Sequence, residues 1–412
     1  MAHEADMDGE GGPRAREMEQ EARLGGGFYI ILASLFLTSV GFGFTSPFFP
    51  LFVQDIGKFD ARQAAFWAGA VQACAGVIQI FAGPVWGIFG DWFGHKKNIA
   101  RAAIGASSVM MATAFVQNIP QLAFTRAMMG LTSGVMPATL GLLGSVTPKA
   151  RLPFAVGLAQ GMSSLGFTLG PLIGASAFIF LGYQWGFIVA GAMIGISGVF
   201  ILSAIRVPAH TSPTGMFTPK SVWKEFRDIL KVKGMFAALI IVGAAQLAPN
   251  FVQPSTAFFI LSLDATANAA TVGLFFFCSG IAVAAAAWTM SFLSRRFPLR
   301  GLIILGCGIL AAGAFMVSTV HSVPLALAWG AVMGWGSGML TAGASAWMGT
   351  IAPRERSGAA YGMVQSANSI GFGIGPLFGG IVANGIGLRA PFVGEALIGI
   401  AVAAFVFTRR LR

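Results

Sequence analysis

The feature that most constrains this chain is a spacing of glycine and proline residues that occurs twice. The first copy lies within residues 157–175 and the second within residues 362–380, 205 positions later. The matched positions are Gly157, Gly166, Gly170, Pro171, Gly174 and Ala175 in the first copy, and Gly362, Gly371, Gly375, Pro376, Gly379 and Gly380 in the second. An internal repeat of this kind predicts a chain built from two related halves.

The composition places both copies in a membrane. Hydrophobic residues make up 56% of the chain and charged residues 10%, whereas a soluble domain carries about 25% charged residues. Helices in lipid associate through close contact between small residues, so each row of glycines is predicted to be a packing face. Pro171 and Pro376 each remove one backbone donor, which makes each copy a candidate bend between packed bundles.

Apolar runs of about 20 residues, the length that crosses a bilayer, follow one another from residue 28 onward. They lie near 28–52, 65–90, 98–117, 121–146, 154–181, 185–205, 235–261, 268–293, 300–320, 324–350, 357–384 and 391–408. The sequence thus predicts an all-α membrane protein with twelve transmembrane helices in two pseudo-symmetric six-helix bundles. The predicted domains are a cytoplasmic disordered tail (1–27), an N-terminal bundle (28–205), a cytoplasmic central loop (206–233) and a C-terminal bundle (234–412).

The basic residues predict the orientation, because Lys and Arg near span ends collect on the cytoplasmic side. Counting alternate connections, 22 of the 26 basic residues fall on the side of the two termini, and only Lys58, Arg62 and Arg389 fall on the other. Both termini are therefore predicted to be cytoplasmic, in a cell (inner) membrane with the lipid bilayer as partner. The net charge of +11 reflects this topology, and no nucleic-acid face is needed to explain it. No removable signal peptide is expected before the first span.

A loop of distinctive composition, residues 87–97, follows the second predicted span. Gly87, Asp91, Gly94 and Lys96 stand on the fixed positions of a pattern that resembles the loop signature between the second and third helices of the major facilitator superfamily. A carboxylate at a helix end can face the positive N-terminus of a neighbouring helix or a basic side chain. Asp91 is thus a candidate latch for one state of a two-state bundle, and the flanking glycines allow close approach.

Arg126 is the one basic residue well inside a predicted span. A charge there is costly and marks a candidate functional site. The run from Arg126 to Gly130 resembles the fourth-helix signature of proton-coupled drug antiporters in the same superfamily. The resemblance implies that Arg126 orients an acid or shifts its protonation; a structural salt bridge or carbonyl clamp is the alternative.

The repeated glycine-proline pattern resembles the fifth-helix signature that marks antiporters, and Pro47 and Pro50 resemble the P-x-x-P stretch of the twelve-helix drug efflux group. The resemblance covers the chain after residue 27 and implies a secondary exporter that exchanges small hydrophobic or cationic drugs for protons. It also implies conformational roles for Gly166, Gly170, Pro171, Gly174, Gly371, Gly375 and Pro376. A monomer without cofactor is expected.

Few acids could carry the exchanged proton. Asp55 lies at the outer end of the first span and Glu395 about one turn inside the last. Burial raises the pKa of a carboxyl toward the working range, and Glu395 is the more embedded of the two. Family position favours Asp55, while Glu395 is open to a structural role because its helix is peripheral in this fold.

Amide side chains are expected to supply the polarity of a substrate cavity, with Met and aromatic side chains as adaptable apolar walls. The six selected amides are Gln72, Gln160, Gln246, Asn250, Gln365 and Asn368.

Other classes of protein are less consistent with the sequence. A sugar or metabolite exporter or facilitator of the same fold is the alternative. A membrane-embedded enzyme would need a cluster of acids, histidines or an activated nucleophile, and the four histidines are scattered through tail and loops. Cys74, Cys278 and Cys307 have no metal-ligand spacing, and no metal site is expected. A channel is disfavoured because no ring of acids appears.

Overall fold

The chain is helical throughout the part that the structure describes. A computed structural model covers residues 26–132, 134–135, 138–139, 142–143, 147, 151–204, 227–228, 230–232, 234–351 and 357–408, without the side chains of 84, 87–93, 152–153, 204 and 357–362. The longer helices are α1 (Gly26–Thr45), α2 (Phe49–Gly57), α3 (Ala61–Phe93), α4 (His95–Thr113), α5 (Ile119–Leu131), α6 (Leu152–Ala204), α7 (Met235–Leu261), α8 (Ala269–Leu293), α9 (Leu299–Thr319), α10 (Val323–Ile351), α11 (Ser357–Gly385) and α12 (Ala390–Thr408).

The first predicted span is two helices joined by a short 3₁₀ turn. Helix α1 ends at Thr45, the turn covers Ser46–Phe48, and α2 starts at Phe49. Pro47 and Pro50 explain the interruption, since neither carries the N–H that an α-helix requires. Helix α2 then ends at Lys58, whose φ of 52° lies in the left-handed region.

The predicted spans 154–181 and 185–205 are two helices that follow each other directly across a kink, and the pair is labelled α6. Gly182, at φ 76° and ψ 176°, separates a first arm, 152–181, from a second arm, 183–204. A positive φ suits glycine, which lacks a Cβ. The connection between two predicted spans is thus reduced to one glycine. Both Pro171 in α6 and Pro376 in α11 lie inside helices that continue through them.

The helices fit a membrane by length and by their outward apolar faces. Nine helical stretches of the described chain are long and apolar enough to cross a bilayer, and one of these, Phe154–Ser203, contains both arms of α6. Large apolar side chains such as Phe180 (83% exposed) and Trp288 (81% exposed) point outward, as expected for lipid contact. The chain is an all-α membrane protein.

Some predicted segments lie largely outside the described residues. Of the predicted span 121–146, α5 covers the part to Leu131, and Gly134 then adopts a φ of 112°. The predicted tail to residue 25 and the central loop from 205 to 226 are not described. The domain limits drawn from the sequence stay a prediction.

The helices pack in pairs that recur in both halves of the sequence. Helix α1 packs on α6, and α7 packs on α11; α4 packs on α6, and α9 packs on α12. Two further pairs join the halves, α3 with α11 and the first arm of α6 with α8. These last two pairs position the candidate site.

Candidate functional site

Each copy of the glycine pattern packs against the first long helix of its own half. A Cβ built on Gly166 would lie 2.7 Å from the carbonyl oxygen of Phe36, and one built on Gly371 would lie 2.7 Å from that of Gly243. Real Cβ atoms do not approach other atoms this closely, so alanine does not fit at either position without movement. The predicted packing face of each copy is confirmed.

The packing repeats residue by residue. Gly174 lies against the carbonyl oxygen of Phe44, and Gly379 lies against that of Phe251, in both cases too closely for a Cβ. The glycines are 205 positions apart and their partners 207 positions apart, as are Phe36 and Gly243. The two halves therefore share contacts as well as a spacing.

The opposite face of each copy contacts the other half of the molecule. A Cβ on Gly273 of α8 would lie 2.8 Å from the carbonyl oxygen of Pro171, and one on Gly69 of α3 would overlap the carbonyl oxygen of Pro376. Both prolines therefore lie at the junction between the halves. Each glycine exposes its backbone to a carbonyl on the neighbouring helix, which lets the two helices meet at backbone distance.

A second pair of contacts lies about two turns along the same helices. Gly280 of α8 approaches Thr168, to whose Oγ1 a Cβ would lie 2.7 Å, and Gly76 of α3 lies against Gly373 of α11. Together with the contacts of Pro171 and Pro376, these close the junction at one end of the molecule. We call this the sealed end; the loops 58–60, 262–268 and 386–389 lie there.

The same helices separate toward their other ends. Gly69, Gly76 and Gly83 share one face of α3 because seven residues are close to two turns. The first two touch α11, but a Cβ on Gly83 would meet no atom within 4 Å, and the same holds for Gly161, seven residues before Thr168. A cleft between the halves therefore widens away from the sealed end. We call the wide end the open end.

A hydrogen-bonded tie crosses the sealed end between α7 and the 3₁₀ turn. The Gln253 Nε2 donates to the Ser46 carbonyl oxygen at 3.0 Å and to the Ser46 Oγ at 3.2 Å. Pro50 is the cause, because it has no N–H to donate to the carbonyl four residues earlier. The sequence signal for this tie is a proline four residues after Ser46, which frees the Ser46 carbonyl but does not identify its partner.

Arg126 lies beside the same turn, inside the helix bundle. Its side chain is buried (7% exposed), and its Cζ is 4.1 Å from the centre of the Phe49 ring. The Nε of Arg126 has no hydrogen-bond partner, and within the described chain Arg126 forms no ion pair. The guanidinium thus lies over the aromatic face of Phe49, the first residue of α2.

The two candidate acids have opposite environments. Asp55 is exposed at the sealed end and pairs with Lys58 at 3.1 Å, a contact of small energetic value at a surface. Glu395 is completely buried in α12, and neither of its carboxylate oxygens has a hydrogen-bond partner. Family position in the sequence favoured Asp55 as the proton carrier, whereas burial in the structure favours Glu395.

The six selected amides are spread over four helices. Gln246 and Asn250 are half-buried on the face of α7 that packs on α11, and the Asn250 Nδ2 donates to the Gln246 carbonyl at 2.7 Å. On α11, Gln365 and Asn368 are half-buried one turn apart. The other two are Gln72, half-buried on α3, and Gln160, exposed on the first arm of α6 near the open end.

The loop signature is described only in part. The side chains of Gly87 and Asp91 lie outside the described residues, so the proposed latch at Asp91 is untested. Gly94 adopts a φ of 94° between α3 and α4, a conformation that favours glycine in so short a turn. Lys96 is half-buried in the first turn of α4.

A tight cluster near this loop joins α3, α4 and α5. The Trp86 Nε1 donates to the Leu131 carbonyl at 2.6 Å, and the Asn98 Nδ2 donates to the Trp86 carbonyl at 2.7 Å. The Arg101 Cζ lies 3.4 Å from the Trp86 ring centre. In the sequence Arg101 is only one of the basic residues that indicate topology, and its contact with Trp86 was not predicted.

No metal centre is found in the part of the chain that the structure describes. No three His, Cys, Asp or Glu side chains there come together, and the three cysteines are free thiols. The described fold has a cleft between two helical bundles, half-buried amides on α3, α7 and α11, and the buried ionisable side chains of Arg126 and Glu395.

A comparison with known protein families identifies the class to which the chain belongs. The family model described as Major Facilitator Superfamily matches residues 31–317 and 254–412. The chain therefore belongs to this superfamily: it is a membrane transporter of small-molecule substrates and not an enzyme.

The chain is also similar to curated relatives over most of its length. It is 27% identical over 384 residues to the multidrug resistance protein MdtG of Proteus mirabilis, covering 90% of this chain and 92% of the relative. It is 26% identical to the multi-drug resistance efflux pump PmrA homolog of Lactococcus lactis, covering 88% and 91%.

Solved structures share the fold at low sequence identity. A mutant of the nucleoside transporter NupG matches with a TM-score of 0.78, at 14% identity, over 93% of this chain and 99% of that one. A bacterial homolog of the human lysosomal transporter Spinster, in an inward-facing and unoccupied conformation, matches with a TM-score of 0.75, also at 14% identity, over 93% and 96%.

Proposed function

We propose that the chain exports small hydrophobic or cationic drugs across the cell (inner) membrane, as a monomer, in exchange for protons. The names of its relatives, multidrug resistance protein and multi-drug resistance efflux pump, support drug export. The two halves, 28–205 and 234–412, rock about the site between them so that the cleft opens to one side at a time.

One observation carries this proposal: among the described residues, two matched sets of contacts close the cleft between the halves at the sealed end, and the same helices lie further apart toward the open end. Gly69 meets Pro376 on one side and Gly273 meets Pro171 on the other, while Gly83 and Gly161 meet nothing. Contacts related by an internal repeat can be made at one end and then at the other, which is the geometry that alternating access requires.

The charge distribution supports the assignment of sides. The open end carries the connections with most of the basic residues, such as Lys96 and Lys97, and the sealed end carries Lys58, Arg62 and Arg389. By the positive-inside rule the open end faces the cytoplasm, and both termini are cytoplasmic. The structure then corresponds to an inward-open state, into which a drug enters from the cytosol.

Amides on α3, α6, α7 and α11 form the polar part of the substrate site in this proposal. Gln246 and Asn250 on α7 and Gln365 and Asn368 on α11 belong to neighbouring helices. Half-buried amides offer donors and acceptors without a fixed charge, which suits several ligands better than one. An amide-lined cleft also suits a hydroxyl-rich ligand, so a sugar or metabolite exporter is the second candidate.

Proton exchange in this proposal depends on the buried ionisable groups. Arg126, held over Phe49 beside the 3₁₀ turn, favours the ionised form of any acid that comes near it as the helices move. Asp55 is exposed and paired and is the weaker candidate for the proton carrier. Asp91 acts as a latch at the open end.

The test is accumulation of a fluorescent hydrophobic cation in cells that express the chain, with and without a protonophore. The proposal expects low accumulation that rises when the protonophore collapses the proton gradient. Unchanged accumulation in both conditions across a broad panel of compounds would replace drug export with export of a narrow metabolite.

A further inference from the structure

Glu395 is a buried acid that has no polar partner in the described packing around it. It is 0% exposed, and neither carboxylate oxygen accepts a hydrogen bond from the residues that the structure describes. It belongs to the buried stripe of α12, together with Phe392, Ala396 and Gly399. An isolated carboxylate costs far more to bury in its ionised form than in its neutral form.

The helices packed on α12 supply no positive charge near the middle of that helix. They are α9, α7 and α11. Helix α7 and the described side chains of α11 contain no charged residue. Helix α9 carries the Cys307 thiol, which is buried, and Arg300, which donates to the Val406 and Phe407 carbonyls at the far end of α12.

Among the described residues, a second arginine joins this pair of helices at the sealed end. Arg389, just before α12, donates through Nη1 to the Ser318 carbonyl at 3.0 Å and lies over the Phe259 ring. Arginines thus fix both ends of α12 to α9 by contacts with carbonyls. Within the described chain Glu395 has no counter-ion, so its neutral form fits this packing.

Helix α12 also rests on the part of α7 that seals the cleft. The rings of Phe259 and Phe392 lie 4.9 Å apart, and Gly394 lies directly against the Phe251 ring. Phe251 is two residues before Gln253, which ties α7 to Ser46, and its carbonyl lies against Gly379. Any movement of α7 that opens the sealed end therefore changes the surroundings of Glu395.

We propose that Glu395 carries the proton that the transporter exchanges; this deepens the proposed function and rests on it. With the sealed end open, water reaches the carboxylate, which takes one proton from it and becomes neutral. The neutral acid then favours the packed α7–α12 contact and the closed seal. When a substrate on α7 disturbs that contact from the cytoplasmic side, the proton returns to water in the open cleft.

Glu395→Gln tests this assignment, because glutamine has the same size and cannot ionise. In liposomes containing the purified chain, the variant is expected to reduce proton-gradient-driven drug transport by at least about fivefold, the low end of typical coupling between sites. Drug exchange without a gradient should persist, because it requires no net change of protonation. Asp264→Asn, an exposed acid in the loop before α8, is the matched control and should change neither rate.

Distance measurements between labels introduced by Lys58→Cys and Thr266→Cys, on a background without the native cysteines, give a second readout. These positions lie at the sealed end on opposite halves and are exposed. In the otherwise unchanged chain the distance should increase from acidic to alkaline buffer. With Glu395→Gln, and with no drug present in either measurement, the distance should stay short in both buffers.

The outcomes separate the two proposals. Gradient-driven transport in Glu395→Gln with unchanged proton dependence overturns the role of Glu395. No gradient dependence in the original chain overturns proton exchange itself. If Glu395→Gln does not fold, Glu395→Asp decides: retained proton-driven transport supports the assignment, and its loss with intact drug exchange overturns it.

Discussion

Ser46 and Gln253 hold equivalent positions in the two halves, and they are hydrogen-bonded to each other. Gln253 follows Ser46 by 207 residues, the same offset that relates Phe44 to Phe251, and each residue precedes a proline, Pro47 or Pro254. The tie therefore joins matching points of the repeat across the cleft. Two different side chains at these points let one donate and the other accept.

Gln253→Ala is expected to shift the protein toward opening of the sealed end. A net hydrogen bond contributes about 0.5–1.5 kcal/mol, so loss of the tie should change the ratio of sealed to open molecules by roughly 2- to 10-fold. Ser46→Ala should have a smaller effect, since the carbonyl still accepts. The measurement is the labelling rate of the thiol introduced by Ala65→Cys, at a site buried against Gly380.

Gln54→Ala is the control for this prediction. Gln54 also lies near the sealed end and donates through Nε2, at 3.3 Å, but to the Phe59 carbonyl within its own half. Its loss should leave the labelling rate unchanged. Equal labelling of the Gln253→Ala variant and the unaltered protein would show that the tie does not hold the seal.

Gly69→Ala is expected to force α3 away from α11. The new Cβ overlaps the Pro376 carbonyl oxygen, a backbone atom that cannot rotate away, and overpacking typically costs about 1–3 kcal/mol. Drug export should fall, because the sealed end no longer closes fully. Gly83→Ala is matched in helix and face but meets no atom within 4 Å; export by that variant should be normal. Similar export by the two variants would contradict the closed junction.

Gly174→Ala and Gly379→Ala are expected to lower the stability of the protein. Each Cβ overlaps a carbonyl oxygen within its own half, that of Phe44 or Phe251, and the cost is again about 1–3 kcal/mol. Thermal aggregation in detergent should start at a lower temperature for both. Gly157→Ala is the control from the same repeated pattern, because its Cβ meets nothing. A loss of stability in the control alone would contradict the assigned packing faces.

Arg126→Ala is expected to abolish export while the protein still folds. Arg126→Lys keeps the charge but loses the planar guanidinium, so it should restore little. Phe49→Leu removes the aromatic face that lies 4.1 Å away, a contact of about 0.5–2 kcal/mol, and should give an intermediate loss. Export rates and melting temperatures are compared in the same preparation. Normal export by Arg126→Ala would remove its role.

The fold could be predicted from the sequence because its strongest signals are local. Runs of apolar residues locate most spans to within a few residues, and the repeat of Gly166 at Gly371 predicts both packing faces. The break at Ser46–Phe48 was harder to predict, because Pro47 and Pro50 also fit within a bent but continuous span. The direct connection of two spans at Gly182 could not be predicted, since nothing in the sequence distinguishes this glycine from the many others.

The candidate site was less predictable, since it depends on pairs of distant residues. Gln253 and Ser46 are 207 positions apart, and nothing local tells which carbonyl an amide will meet. The environment of an acid is equally nonlocal. The sequence placed Asp55 at the end of a span and Glu395 inside one, but it could not show that Asp55 pairs with Lys58 or that the packing of three helices isolates Glu395.

The junction of the two halves is formed largely by main-chain atoms. The carbonyls of Pro171 and Pro376 lie directly against Gly273 and Gly69, which have no Cβ. Apart from the hydrogen bonds between Gln253 and Ser46, such a joint depends on shape and not on polar side chains. The residues that choose the cargo can then change during evolution without rebuilding the machinery that moves it. In such a chain, substrate specificity can evolve while the conformational change stays the same.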